Sequence, residues 1–359
     1  MEQRSSRVGL CLCGGGVTGA MYQVGCLAAL EDRITSFSAS GFDVYVGTSS
    51  GAAVATALAG GLSVQRLYRA LLDPADDFFP LSRNHLLRID IAELLRGFGT
   101  TISAARRIIS SAATNPLDVN VWNELERFVD SLPAGVFTLD PYERFLSDFM
   151  TRRGISHSFD ELPKPLYIVA NDLDAGQRVV FGQGSLRRVP IPRAIAASSA
   201  LPILYAPIRH EGRDYIDGGI GESAHADLAQ ADGCDIIIVV NPLVPVHAGA
   251  TGLDVPTGHG PKRRVRDKGL LWVYEQAIRM RSEARLHTSV AQAQANDPGT
   301  RFLVIEPKQT DATLFMYSPM NFAARRAILE EGYTGTARML ADPGSPFRIA
   351  LEERGYVVS

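Results

Sequence analysis

Short unbroken apolar runs alternate along this chain with longer stretches whose apolar positions recur every three or four residues. The runs RVGLCLC (7–13), DVYV (43–46), LYIVAND (166–172), RVVFG (178–182), DYID (214–217), DIIIVVN (235–241) and RFLVIEP (301–307) predict β-strands. The first ends in glycines, the form of a strand buried on both faces. Helical spacing predicts helices at about 19–32, 50–59, 140–152, 192–198, 222–231, 268–295 and 319–341. Strand–helix alternation of this kind argues for an α/β protein, a three-layer α/β/α arrangement with a mostly parallel sheet covered on both faces. No internal repeat or low-complexity tract interrupts it.

Two stretches stand apart. Residues 62–135 carry no strong strand and include two amphipathic segments, LLRIDIAELLRGF (86–98) and ISAARRIIS (102–110). Five arginines face two acids between residues 83 and 107. This stretch reads as a helical insert, either a layer packed on the sheet or a lid that settles on a lipid surface. Residues 245–268 are rich in Gly and Pro and end in the basic KRRVRDK (262–268), the pattern of a long loop. Residues 243–359 as a whole read as a helical extension with one added strand, its helix 269–295 apolar enough for core packing or a homodimer contact.

Composition changes this picture little. With 46% apolar and 21% charged residues the chain is globular, and a net charge of −3 gives no sign of a nucleic-acid partner. Four cysteines make no disulfide framework, and Cys11 and Cys13 share one strand face as small buried hydrophobes. Residues 8–30 are uncharged, yet six glycines with Thr18 and Gln23 break any spanning helix or signal peptide. A cytoplasmic location is the default expectation.

Three places carry candidate chemistry. CGGGVTGA (13–20) follows a strand and opens a helix, and Gly14, Gly16 and Gly19 satisfy a dinucleotide fingerprint. That reading needs an acid at the end of the second strand, where Gly47-Thr-Ser-Ser-Gly51 stands instead. The same glycine amides suit an oxyanion at a helix N-terminus. VGTSSGAAV (46–54) centres Ser49 in G-x-S-x-G between a strand and a helix, either as an exposed nucleophile or as a helix cap. A nucleophile needs a base. None of the seven histidines stands in a clear catalytic setting. Asp217 in GRDYIDGGIG (212–221) ends a strand before two glycines, either a carboxylate projecting into a cleft or a plain turn.

In that order, GGGVTG, GTSSG and DGG resemble the three signature blocks of patatin-like phospholipases. The connecting segments ELPKPLYIVANDLDAGQRVVFG (161–182) and IPRAIAASSALPILYAPI (191–208) are similar as well, so the resemblance covers about residues 7–242. It implies a patatin-like catalytic domain over 7–242 and a Ser–Asp dyad, Ser49 as nucleophile and Asp217 as its proton acceptor. It implies an oxyanion hole from the amides of Gly14, Gly15 and Gly16, a lipid or acyl-ester substrate, contact with a membrane surface, and no metal or cofactor. The sequence departs from the pattern at two places. Thr18 stands where the family often has Arg or Lys, which removes a positive charge from the glycine loop and favours neutral esters. Glu222 and His225 stand near the family's Asn and Pro after Asp-Gly-Gly, leaving His225 as an alternative base or else a surface helix residue.

Overall fold

Eight strands form the central sheet. The computed structural model describes residues 6–73, 75–89, 132–222, 224–246, 264–308 and 324–359, with residues 126, 129, 130 and 260 besides. The strands are β1 (Val8–Leu12), β2 (Val44–Thr48), β5 (Leu166–Asp172), β6 (Gln177–Phe181), β8 (Ile208–His210), β9 (Arg213–Asp217), β10 (Ile236–Val240) and β11 (Arg301–Ile305). They run in the order β11-β10-β1-β2-β5-β9-β8, with β6 also paired to β5. From β11 to β5 every pairing is parallel. Side-chain alternation divides the core between the sheet's two faces. Leu10, Leu12, Tyr45, Ile236 and Ile238 join one apolar cluster, and Cys11, Cys13, Val44, Val46 and Ile237 join the other. The four cysteines are buried and none is in a disulfide, Cys11 and Cys13 on one face as expected.

The antiparallel part comes from tight turns. Residues 172–176 close the β5–β6 hairpin, with the Asp172 carboxylate accepting from Ala175 N–H at 2.8 Å. Glu211 and Gly212, at φ 47° and 81°, make a two-residue turn that joins β8 to β9. The strand at 208–210 does not stand out in the sequence because three residues are too few to show a period.

Helices α1 (Gly16–Arg33), α2 (Ser50–Ala59) and α3 (Val64–Leu72) contribute to the larger cluster, as do α5 (Asp140–Arg153) and α6 (Ile191–Ser198). On the other face lie α7 (Ala226–Ala231) and the C-terminal half of α8 (Leu270–Asn296), through Leu286, Val290 and Ala293. Helix α9 (Arg325–Ala341) crosses α1 so closely that a Cβ on Gly25 would stand 2.3 Å from the Leu329 carbonyl oxygen, and one on Gly332 would stand 2.4 Å from that of Tyr22. The final helix is α10 (Pro346–Glu352), after which Val358 bridges Ile34.

The expectation of helix over 86–98 is corrected at its start. The short helix α4 (Arg83–Leu86) ends there, and β3 (Arg88–Ile89) pairs with β4 (Gly135–Thr138), which pairs with β7 (Ile203–Tyr205) in a small second sheet. Cross-strand pairing overrides local helical spacing here. The rest of that segment, the amphipathic stretch 102–110, most of the loop 245–268 and the start of the expected helix at 319 lie outside the described residues. No described helix is long and apolar enough to cross a membrane. Residues 8–30 form β1, the glycine turn and most of α1.

Candidate active site

Strand β5 brings the two candidate residues together. Its residues 166–169 pair in parallel with β2, its residues 170–172 pair antiparallel with β9, and β6 pairs with residues 168–172. A strand has two edges, so β2 and β9 must share the one that β6 leaves free. They approach from opposite ends: Thr48 pairs with Val169 and Asp217 pairs with Ala170. Ser49, next after Thr48, therefore emerges where β9 ends.

The turn at Ser49 is forced by close packing. A Cβ on Gly47 would stand 2.5 Å from Ala52 Cα, and one on Gly51 2.3 Å from the Leu12 carbonyl oxygen, so only glycine fits at either place. Ser49 itself sits at φ 55°, ψ −126°, a strained conformation for a residue with a side chain. Its N–H donates to Ser198 Oγ at 2.8 Å, and that hydroxyl donates to the Val169 carbonyl at 2.5 Å. Ser198 is fully buried and ties the elbow to β5. Sequence reading passed it over, because a serine in IAASSALP carries no local signal of its partner 149 residues away.

Asp217 is buried, 6% exposed. Asn171 Nδ2 donates to its main-chain carbonyl at 2.8 Å, and Gly219 N–H donates to its Oδ1 at 2.7 Å. Burial pushes the carboxyl up to about 6, while the Gly219 amide and the Ser49 hydroxyl against it pull the other way. Desolvation wins. The group is thus a far better base near neutrality than an ordinary aspartate.

Gly14, Gly15 and Gly16 close the other side. Their N–H groups have no hydrogen-bond partner among the described residues, and all three line the cavity that contains Ser49 and Asp217. Gln23, fully buried inside α1, donates to the Cys13 carbonyl at 2.5 Å. Carbonyl and amide of one peptide unit point in opposite directions, so this bond aims the Gly14 N–H away from Gln23. A Cβ on Gly14 would stand 3.2 Å from Ser49 Cβ, and those on Gly15 and Gly19 would stand 2.9 and 3.1 Å from Pro242 Cγ. The dinucleotide-like glycine spacing thus answers packing against Ser49 and Pro242.

The cavity measures about 240 Å³ and is mostly apolar. Helix α2 presents Ser50, Ala53, Val54 and Ala57 to it, and α1 presents Val17, Ala20 and Val24, each set at helical spacing. The small residues leave room for a chain. No histidine lines it among the described residues. His225, expected on the surface or beside Ser49, is corrected to neither. The helix begins at Ala226 rather than 222, and His225 precedes it, 3% exposed, in left-handed backbone. Its Nε2 lies 3.4 Å from the Gly218 carbonyl oxygen and its Nδ1 3.3 Å from Arg178 Nη1, behind the Asp217 turn. Burial and the Arg178 charge hold it down near about 4. The expected lack of positive charge is corrected as well: Thr18 donates to the Gly15 carbonyl, but Arg279 of α8 lines the cavity beside the glycine turn. No group of three or more His, Cys, Asp or Glu side chains is placed to hold a metal among the described residues.

Several known proteins are similar to this chain. A probable lipid hydrolase of Invertebrate iridescent virus 6 is 23% identical over 226 residues, 61% of this chain and 62% of the relative. VipD of Legionella pneumophila is 15% identical at TM-score 0.40, covering 93% of this chain and 66% of VipD. The type III effector ExoU of Pseudomonas aeruginosa is 17% identical at TM-score 0.38, covering 93% and 52%. The chain thus spans less than two thirds of each relative's length. The family model for patatin-like phospholipases matches residues 10–229, more than half of the 359 residues. On that match, which takes in the glycine turn, the Ser49 elbow and Asp217, the chain belongs to the patatin-like phospholipase family.

Proposed function

We propose that this chain is a serine acyl hydrolase that cleaves fatty-acyl esters of lipids through Ser49 and Asp217. The observation that carries the reading is the convergence of β2 and β9 on one edge of β5. It sets the hydroxyl of a serine on a strained turn against a buried carboxyl in the lining of an apolar cavity. Family membership supports the class of reaction.

Ser49 Oγ attacks the ester carbonyl carbon as Asp217 takes its proton. The carbonyl oxygen becomes an oxyanion held by the amides of Gly14–Gly16, at the N-terminus of an 18-residue helix whose dipole favours negative charge. The C–O bond to the alcohol breaks, and Asp217 returns the proton to the leaving oxygen. Water then attacks the acyl-enzyme, giving its proton to Asp217. Collapse of that second tetrahedral species frees the fatty acid and restores the Ser49 hydroxyl. Asp217, not a histidine, carries the proton in each step.

Turnover of p-nitrophenyl butyrate by Ser49→Ala and Asp217→Asn tests this. Each should fall by about 10³-fold or more. A fluorophosphonate should add to Ser49 in the native chain, located by peptide mass spectrometry. Retained activity in either variant, or labelling elsewhere, would reject the dyad.

A further inference from the structure

Arg279 lies in the middle of α8, outside the residues 10–229 that match the family. It is 5% exposed and lines the same cavity as Ser49 and the glycine turn. Its Nη1 donates to the carbonyls of Pro242 and Val244 at 3.5 and 3.4 Å. The Pro242 ring packs on Gly15 and Gly19, and Leu243 packs on Gly14. The guanidinium is therefore held on the strip of chain that backs the glycine turn.

A guanidinium has five N–H donors. Here one nitrogen makes two long contacts to neutral oxygens, and no carboxylate pairs with it among the described residues. Glu275, one helical turn earlier, also lines the cavity; it and Arg279 attract one another without a hydrogen bond between them, and Lys268 draws on Glu275 as well. A buried charge of this kind is costly unless something compensates it. Two opposite charges stand one turn apart on one helix, both lining the cavity, with a through-space attraction but no hydrogen bond joining them.

We propose that Arg279 and Glu275 form a headgroup subsite for a zwitterionic glycerophospholipid, with the phosphate at Arg279 and the ammonium at Glu275. The forked donors of arginine match two phosphate oxygens, which a lysine ammonium does not. In such a lipid the phosphate is joined to the glycerol that bears the acyl esters. A headgroup anchored at Arg279 would present an ester to Ser49 and leave the acyl chain to the apolar cavity. This rests on the acyl-hydrolase reading, so the test uses binding as well as turnover.

Isothermal titration with monomeric n-decylphosphocholine is expected to show binding to the native protein at least tenfold tighter than that of decanol. Equal affinities would overturn the subsite without any variant. Arg279→Met should weaken decylphosphocholine at least tenfold and Arg279→Lys by less. Glu275→Gln should weaken decylphosphocholine but not decyl phosphate. Unchanged binding in Arg279→Met would overturn the proposal. So would inorganic phosphate that binds as tightly as decyl phosphate, since that marks a free-phosphate site. In turnover, the kcat/KM ratio of dihexanoyl phosphatidylcholine to dihexanoylglycerol should fall at least tenfold in Arg279→Met. An equal loss on both substrates would assign Arg279 to the reacting centre instead. A native chain that binds decylphosphocholine but leaves Ser49 unlabelled by fluorophosphonate would reject the hydrolase reading and keep the subsite.

Discussion

Asp217 shows how far one residue's chemistry depends on where it is buried. Its pKa, about 6 instead of 3.8, means that the folded chain binds this proton more tightly than the unfolded chain. The stability linked to it is full below about pH 3.8 and is lost as pH rises through about 6. At neutral pH the ionised group costs the fold on the order of 3 kcal/mol relative to an unperturbed aspartate, from about 1.4 kcal/mol per tenfold change in proton affinity. Two outcomes follow. The kcat/KM of ester hydrolysis should rise with pH along a limb with an apparent pKa near about 6, read from a pH–rate profile. Asp217→Asn should abolish turnover yet raise unfolding free energy by about 1–3 kcal/mol at pH 7.5, measured in urea, with the gain vanishing towards pH 4. A less stable Asn variant would show that desolvation does not govern this carboxyl.

At the scale of elements, β5 is the ruler against which the site is set. Val169 holds the elbow through Ser198, Ala170 pairs with Asp217, and Asn171 fixes the Asp217 carbonyl. Ser198→Ala removes the acceptor of the Ser49 N–H and the donor to Val169 in one change. Buried groups left unpaired in this way cost about 1–3 kcal/mol each. Urea unfolding should show a loss of about 2–3 kcal/mol, and kcat on p-nitrophenyl butyrate should drop roughly tenfold as the elbow relaxes. An unchanged kcat would mean that the glycines at 47 and 51 hold the turn alone. The strands and helices of this core are legible in the sequence because each is buried with its own period. The short β3, β4, β7 and β8 are not, since they exist only through partners remote in the chain.

Over the whole molecule, the family match ends at residue 229, but the packed body does not. Strand β11 covers the outer edge of β10, and α9 lies along α1 at Gly25 and Gly332. A fragment ending at residue 242 would expose both surfaces. It should lose cooperative urea unfolding, which the full chain keeps. A fragment that unfolds cooperatively with native-like circular dichroism would show that the C-terminal helices are an accessory. The same region brings Arg279 and Glu275 into the lining of the cavity beside Ser49, so in the proposed reading stability and headgroup recognition depend on one piece of chain.

Apolar runs alternating with helically spaced segments were enough to set a layered, largely parallel sheet, and the glycines around Ser49 and after Asp217 were enough to mark the two candidate reactive groups. Both signals are local: unbroken apolar runs that bury a strand on both faces, and turns too tight for a side chain. Folding in three dimensions decided the rest. It ran β9 against β5 so that Asp217 meets Ser49, turned His225 to the back of that strand end, and set Ser198 and Arg279 against the site. Each of these depends on a contact between segments far apart in the chain, and a contact of that kind leaves no periodic trace in either segment.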